Sequence, residues 1–136
     1  MKLLCSLIVV ISILSINSSF AQDKSDQMVY ELRTYTSHPG KLDALNDFFE
    51  NLGIKIFNKY GMESIGYWTP ADKPDTLIYI LRHKNMITAK ENWQKFIKDP
   101  ERIKEGEKAM KDGPIVLGRP ESVYMYATDY SALSNQ

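Results

Sequence analysis

The chain has 136 residues, and its 17 Lys and Arg balance its 17 Asp and Glu, so the formal net charge is zero. Hydrophobic residues make up 43% and charged residues 25%, which is ordinary for one folded domain and excludes a disordered chain. Such a chain has no net positive charge with which to displace counterions from phosphates, so we expect no nucleic-acid partner.

The first residues have the layout of a secretory signal peptide. Lys2 gives a positive start, residues 3–16 form an apolar run, and Ser19-Phe20-Ala21 places small residues before a cleavage point. The run is shorter than the roughly 20 residues that span a membrane, and an uncleaved anchor is the alternative. We predict a signal peptide over residues 1–21, export to the periplasm or the medium, and no membrane contact in the mature form. Cleavage would also remove Cys5, the only cysteine, and with it any disulfide or thiolate chemistry.

The next part of the chain predicts a strand followed by a long helix. Residues 22–27 are polar and are interpreted as a flexible lead-in. Alternation of Val, Tyr and Thr predicts a strand over residues 28–36. Apolar residues at helical spacing then predict a helix over residues 41–60, which Gly61 ends in a left-handed conformation.

The rest of the chain predicts a hairpin, two helices and a last strand. Residues 62–69 and 75–83 read as strands joined by a short turn with two prolines. Asp99 and Pro100 suit the N-cap and first position of a helix. The remaining predictions are helices over residues 85–98 and 99–112, a strand over 121–127 and a C-terminal tail over 128–136.

This order is βαββαβ with one additional helix. It predicts an α+β domain over residues 28–127, with a ferredoxin-like antiparallel sheet and helices on one face. Residues 77–81 and 123–126 are apolar on both faces of their strands, and helices can cover only one of these faces. A second copy of the sheet would cover the other, which predicts a homodimer built as a dimeric α+β barrel. A monomer with exposed tyrosines is the alternative.

Several segments resemble the NIPSNAP family. Residues 30–36 (YELRTYT) and 39–42 (PGKL) look like the opening of a NIPSNAP domain, and the later pieces agree in order. Those pieces are residues 60–62, 65–68, 77–83, 93–96 and 99–101. The resemblance covers about residues 28–126 and implies a ferredoxin-like fold of the dimeric α+β barrel group. That group also contains cofactor-independent monooxygenases and heme-degrading enzymes, whereas the resemblance implies no settled activity for the family itself.

The first strand carries the main candidate site. Glu31, Arg33 and Tyr35 share one face, because residues two apart on a strand point the same way. If Leu32 faces the helices, this row faces the barrel interior. Arg33 would then hold an anionic ligand through a bidentate contact, or pair with Glu31 in a structural ion pair.

Three residues of the hairpin complete the candidate site. Trp68, with room beside it at Gly66, and Tyr79 are predicted as walls of the ligand cavity, although core packing is the alternative for Trp68. His83 ends its strand and is a candidate general base, or a solvated surface residue. Trp93 and Phe96 are interpreted as core.

The sequence therefore predicts an exported homodimer that binds a small, partly apolar or anionic molecule in the barrel cavity. The alternatives are a cofactor-independent monooxygenase or isomerase that uses His83 or Glu31 as its base, and a structural or protein-interaction module. We predict no cofactor, and no metal site because the spacing of metal motifs is absent.

Overall fold

The structure is a computed structural model that describes residues 26–133. The predicted signal peptide, residues 22–25 of the predicted lead-in and residues 134–136 of the predicted tail lie outside the described residues. The strands are β1 (Val29–Thr36), β2 (Glu63–Trp68), β3 (Thr76–His83) and β4 (Glu121–Met125). The helices are α1 (Leu42–Phe48), a π-helical segment (Phe49–Gly53), α2 (Ile54–Lys59), α3 (Met86–Ile97) and α4 (Pro100–Ala109).

The strands form one four-stranded sheet in the order β2-β3-β1-β4, and every neighbouring pair is antiparallel. The predicted hairpin of β2 and β3 is confirmed. β1 lies in the centre of the sheet, between β3 and β4. This is the split arrangement of the ferredoxin-like fold. The predicted α+β ferredoxin-like class is therefore confirmed.

The predicted end of the first helical region and the predicted start of α4 are both found in the structure. Gly61 has a φ of 70°, the left-handed region that glycine enters without penalty. The Asp99 carboxylate accepts hydrogen bonds from the backbone N–H groups of Glu101 and Arg102, and Pro100 occupies the first position of α4.

The predicted helix over residues 41–60 is interrupted by its π-helical segment. Gly53 and Phe49 pack closely there, because a Cβ at Gly53 would lie 2.6 Å from Cδ1 of the Phe49 ring. Phe49 in turn packs edge-on against Tyr35 and at a tilt against Tyr79, both on the sheet. The spacing of apolar residues cannot reveal such a segment, because one inserted residue in a single turn still leaves apolar side chains at intervals of three or four residues.

The hydrophobic core lies between the sheet and the helices. Phe57 is fully buried at its centre and stacks on Phe96 of α3 with ring centroids 4.6 Å apart. Leu77, Tyr79 and Leu81 of β3 point into this core. The described residues contain no helix that is both long and apolar enough to cross a membrane.

The opposite surface, which we call the open sheet face, carries apolar side chains that none of the helices within residues 26–133 covers. Trp68 is 50% exposed and Val123 is 53% exposed. Strand alternation and register place the following residues together on this face: Leu32, Trp68, Ile78, Ile80 and Val123. One corner is covered by the chain itself, since the Tyr30 hydroxyl donates to the Leu133 carbonyl at 3.0 Å. Part of the predicted C-terminal tail therefore packs on the domain.

Candidate functional site

The polar row of β1 points toward the helices. Glu31, Arg33 and Tyr35 lie opposite Leu81, Tyr79 and Leu77 of β3, all of which are core residues. The expectation that this row faces a barrel interior is therefore wrong. Leu32 does not face the helices, because Trp93 of α3 reaches across and binds Glu31.

Glu31 lies at the centre of a buried hydrogen-bond network. Its Oε1 accepts from Arg33 Nη1 at 3.1 Å and from Ser122 Oγ at 2.6 Å. Its Oε2 accepts from Trp93 Nε1 at 2.6 Å and lies 2.9 Å from His83 Nε2. Four partners from four different elements thus hold one fully buried carboxylate.

These contacts keep Glu31 ionised. Burial alone would raise the pKa of the Glu31 carboxyl, because it penalises the charged form. The hydrogen bonds with His83, Ser122 and Trp93 and the charge of Arg33 outweigh burial and lower the pKa of Glu31 to about 2. A carboxylate this acidic and this well bonded is a poor proton acceptor near neutral pH, so the structure does not favour Glu31 as a general base.

Arg33 is fixed by the same network. Its guanidinium lies over the Trp93 ring at 4.4 Å from the centroid, and its Nη2 donates to the Tyr35 hydroxyl at 3.0 Å. Burial disfavours the Arg33 charge, but Tyr35, Tyr79 and Glu31 more than compensate and raise the pKa of Arg33. Since Glu31 neutralises this cation, the geometry matches the structural ion pair that the sequence left as an alternative.

The two remaining predicted residues of β3 are also internal. Tyr79 is fully buried, and its hydroxyl donates to the Tyr35 hydroxyl at 3.3 Å. Burial raises the pKa of Tyr79 well above its usual value, so its hydroxyl stays protonated. His83 is 1% exposed and contacts Glu31 through Nε2. It is therefore neither a solvated surface residue nor a base open to solvent.

Trp68 lies apart from this cluster. It pairs across the hairpin with Ile78, on the open sheet face. Its indole folds over Gly66, where a Cβ would lie 2.7 Å from Cη2 of the ring. The space predicted at Gly66 is therefore filled by the Trp68 ring itself. Trp68 and Tyr79 point to opposite faces of the sheet and do not form one cavity within residues 26–133.

A partly open cavity of about 200 Å³ lies beneath α4, and we call it the helix-side cavity. Tyr35 lies at its β1 side, and Ile115 comes from the segment before β4. Its walls are otherwise the apolar side chains of α1, the π-helical segment, α3 and α4, together with Arg102: Leu45, Phe48, Phe49, Phe96, Ala109 and Met110.

Two features of this cavity link it to binding. Tyr35 lines it with its ring while its hydroxyl bonds Arg33, so the cavity adjoins the buried polar network. Gly106 also lines it, in the middle of α4, and a Cβ at Gly106 would meet no atom within 4 Å outside the helix's own backbone. A glycine inside a helix costs about 0.5–1 kcal/mol relative to alanine, and here its missing side chain keeps the cavity open.

No group of three or more His, Cys, Asp or Glu side chains that could hold a metal ion occurs among residues 26–133. The Glu31 carboxylate is instead bonded by Arg33, His83, Trp93 and Ser122, whereas Arg33 Nε and His83 Nδ1 are buried without a hydrogen-bond partner among these residues. The residues described thus offer an apolar cavity with a polar edge, which suits a small organic molecule better than an ion.

The family is shown by the sequence itself. The NIPSNAP family profile matches residues 30–132. This chain belongs to the NIPSNAP family. Among curated proteins, none matches it.

Solved structures of NIPSNAP proteins share its fold. It is similar to an uncharacterized NIPSNAP-like domain protein from Burkholderia xenovorans, with 19% identity and a TM-score of 0.67 over 78% of this chain and 90% of that one. A NIPSNAP family protein of unknown function from Agrobacterium tumefaciens has 24% identity and a TM-score of 0.65 over 79% and 95% of the two chains. A candidate antibiotic biosynthesis monooxygenase from Caulobacter crescentus has 16% identity and a TM-score of 0.54 over 77% and 93%. At these identities the similarity shows the fold alone.

Reasoning from the NIPSNAP sequence alone misses two residues of the site. The sequence predicts Trp93 as a core residue, but its indole N–H also binds Glu31. The sequence predicts no role for Arg102, although Arg102 lines the helix-side cavity beside Phe96.

Proposed function

We propose that this NIPSNAP protein is an exported homodimer that binds a small, mostly apolar molecule in the helix-side cavity of each protomer. The observation that carries the proposal is the open space at Gly106, in the wall of a cavity that Tyr35 and aromatic side chains of the core also line. The binding site predicted in the barrel interior moves to the other side of the sheet, because Arg33 and Tyr35 point there.

The size and chemistry of the cavity define the class of ligand. Its volume of about 200 Å³ is below the range of about 300–1,000 Å³ for pockets that hold drug-sized molecules. Aromatic and aliphatic side chains make up most of its lining. A ligand with a compact apolar body, such as a small aromatic compound, fits these walls.

The open sheet face supports the homodimer. Its apolar side chains lie on the side away from every helix described, and exposed apolar patches of this kind mark interaction sites. A second copy brings the same apolar surface, so two faces can pack about a twofold axis. The full chain has a formal net charge of zero, and removal of residues 1–21, whose one charged residue is Lys2, would leave −1. Repulsion between two such chains is therefore weak.

The rival enzymatic proposal draws less support from the geometry. An oxygenase or isomerase would need a base beside its substrate. Glu31 carries four hydrogen bonds, and His83 is buried against Glu31, while neither lines the helix-side cavity. Binding without proton abstraction by these residues is the function that the site supports best.

One mass measurement tests the proposal. Native mass spectrometry on protein purified from cells that express the full chain should give a dimer of chains that begin at Gln22, with one small molecule bound per protomer. Gly106→Phe should remain dimeric and lose the bound mass, because the ring fills the open space. The matched control Glu107→Phe places the same ring at an exposed position of α4 and should keep it. A bound mass that survives in Gly106→Phe contradicts the proposal.

A further inference from the structure

Arg102 lines the helix-side cavity and has no counter-ion among residues 26–133. Its guanidinium lies over the Phe96 ring at 5.2 Å from the centroid, and its Nη1 makes one long contact of 3.4 Å with the Ile97 carbonyl. Its Nε is buried and has no hydrogen-bond partner within residues 26–133. A buried donor without an acceptor is unfavourable, so a group that supplies one would bind there with advantage.

The acidic residues nearest in sequence are already engaged elsewhere. Glu101 accepts from Lys55 Nζ at 2.7 Å, and Glu105 accepts from Lys108 Nζ at 2.7 Å. The Asp99 carboxylate accepts from Lys59 Nζ at 2.6 Å and from the backbone N–H of Arg102, not from its guanidinium. Arg102 forms no ion pair with any residue that the structure describes. Its positive charge is therefore available to a ligand.

Arg33 shows the contrasting case in the same protein. It also has a buried Nε without a partner, but Glu31 neutralises its charge at 3.1 Å and Tyr35 binds its Nη2. Of the two arginines, only Arg102 both lines the helix-side cavity and lacks an anion.

From this we infer that the ligand of the helix-side cavity is a small carboxylic acid with an apolar body, and that its carboxylate binds Arg102. The inference rests on the proposed binding function and adds two points to it: the charge of the ligand and the residue that binds that charge. Arginine suits this role because its guanidinium keeps its charge and its planar terminal N–H groups match the two oxygens of a carboxylate. The apolar body then lies against Phe48, Phe49 and Ile115.

Two probes of equal shape separate charge from apolar packing. We would titrate the protein purified from cells expressing the full chain with 2-naphthoate and with the neutral 2-naphthalenemethanol, by isothermal calorimetry. The wild type should bind the carboxylate about tenfold or more tightly than the alcohol, as a charge-assisted hydrogen bond allows. Arg102→Met should remove this preference and leave the affinity for the alcohol within about twofold.

Two further variants keep the test decisive if Arg102→Met is poorly folded. Arg102→Lys keeps the charge without the planar fork and should retain part of the preference for the carboxylate. Lys104→Met removes a charge from an exposed position of α4 and should leave both affinities unchanged.

The outcomes distinguish the two levels of the proposal. Equal binding of both probes by the wild type, or an unchanged preference in Arg102→Met, overturns the role of Arg102 while the cavity stands. If neither probe binds the wild type, or if Gly106→Phe leaves the binding of both unchanged, the cavity is not a binding site and both proposals fail.

Discussion

Trp93 on α3 donates its indole N–H to the Glu31 carboxylate on β1 at 2.6 Å. This contact turns the polar row of β1 toward the helices, and the Trp93 ring then supports the Arg33 guanidinium at 4.4 Å from its centroid. A buried carboxylate with four partners is favourable only while every partner is in place. The network should therefore make a large contribution to the free energy of unfolding.

Removing the Glu31 charge should destabilise the protein strongly. In Glu31→Gln, the amide nitrogen can no longer accept a hydrogen bond, and the charge that pairs with Arg33 is lost. We expect a loss of about 3 kcal/mol in the free energy of unfolding, measured by urea denaturation. Glu63→Gln is the matched control, because Glu63 pairs with Arg82 at an exposed position and should cost less than about 1 kcal/mol. Equal losses in the two variants would contradict the account.

The same carboxylate should make stability fall in acid. The pKa of Glu31 is lowered from its usual 4.5 to about 2 in the folded protein, so the unfolded chain takes up the proton first. The ionised Glu31 carboxylate thus adds roughly 3 kcal/mol to the free energy of unfolding above pH 4.5, and this stabilisation is lost as the pH falls toward 2. The Asp99 carboxyl, whose pKa is also lowered, acts in the same direction. Urea midpoints of the wild type and Glu31→Gln should therefore converge as the pH falls from 5 to 2. A constant difference across this range would be the opposite result.

Two glycines in helical segments should respond to alanine with opposite signs. At Gly53 the added methyl would meet the Phe49 ring at 2.6 Å, within a packed core, and should cost about 1–3 kcal/mol of unfolding free energy. At Gly106 it would enter open space, and the better helix propensity of alanine should stabilise the protein by up to about 1 kcal/mol. Thermal unfolding of both variants checks the pair. A destabilised Gly106→Ala would show that the space beneath α4 is already filled.

The open sheet face should control the oligomeric state. Ile80→Glu places a charge at the centre of that face and should convert the proposed dimer into a monomer at micromolar concentration. Ile87→Glu makes the same substitution on α3, at a side chain that is 59% exposed, and should leave the dimer intact. Sedimentation velocity distinguishes the two species. A dimer that persists in Ile80→Glu would place the interface elsewhere.

The sequence predicts the elements of this fold well because their signals are local. The Asp99-Pro100 start of α4, the Gly61 end of α2 and the hairpin are fixed by neighbouring residues. The orientation of β1 is not local: both of its faces mix polar and apolar side chains, and the choice depends on Trp93 and Ser122, which lie 62 and 91 residues away from Glu31.

The site shows the same limit. A list of chemically capable residues on β1 and β3 identifies Glu31, Arg33, Tyr79 and His83, which the structure does bring together. It cannot show that Arg33 and His83 both engage the Glu31 carboxylate, because that depends on distances between elements. The cavity beneath α4 includes the open space at Gly106. Because the sequence of α4 is mostly polar, it predicts an exposed helix and does not indicate a cavity beneath it.

The location of a bound ligand tests the central claim most directly. An isotope-filtered NOE spectrum of ¹³C-labelled protein with 2-naphthoate would report which methyl groups lie beside the naphthalene ring. The account predicts contacts to Ala109, Met110 and Ile115 of the helix-side cavity. Contacts confined to Leu32, Ile80 and Val123 would place the ligand on the open sheet face, between the two sheets of a barrel, and would contradict it.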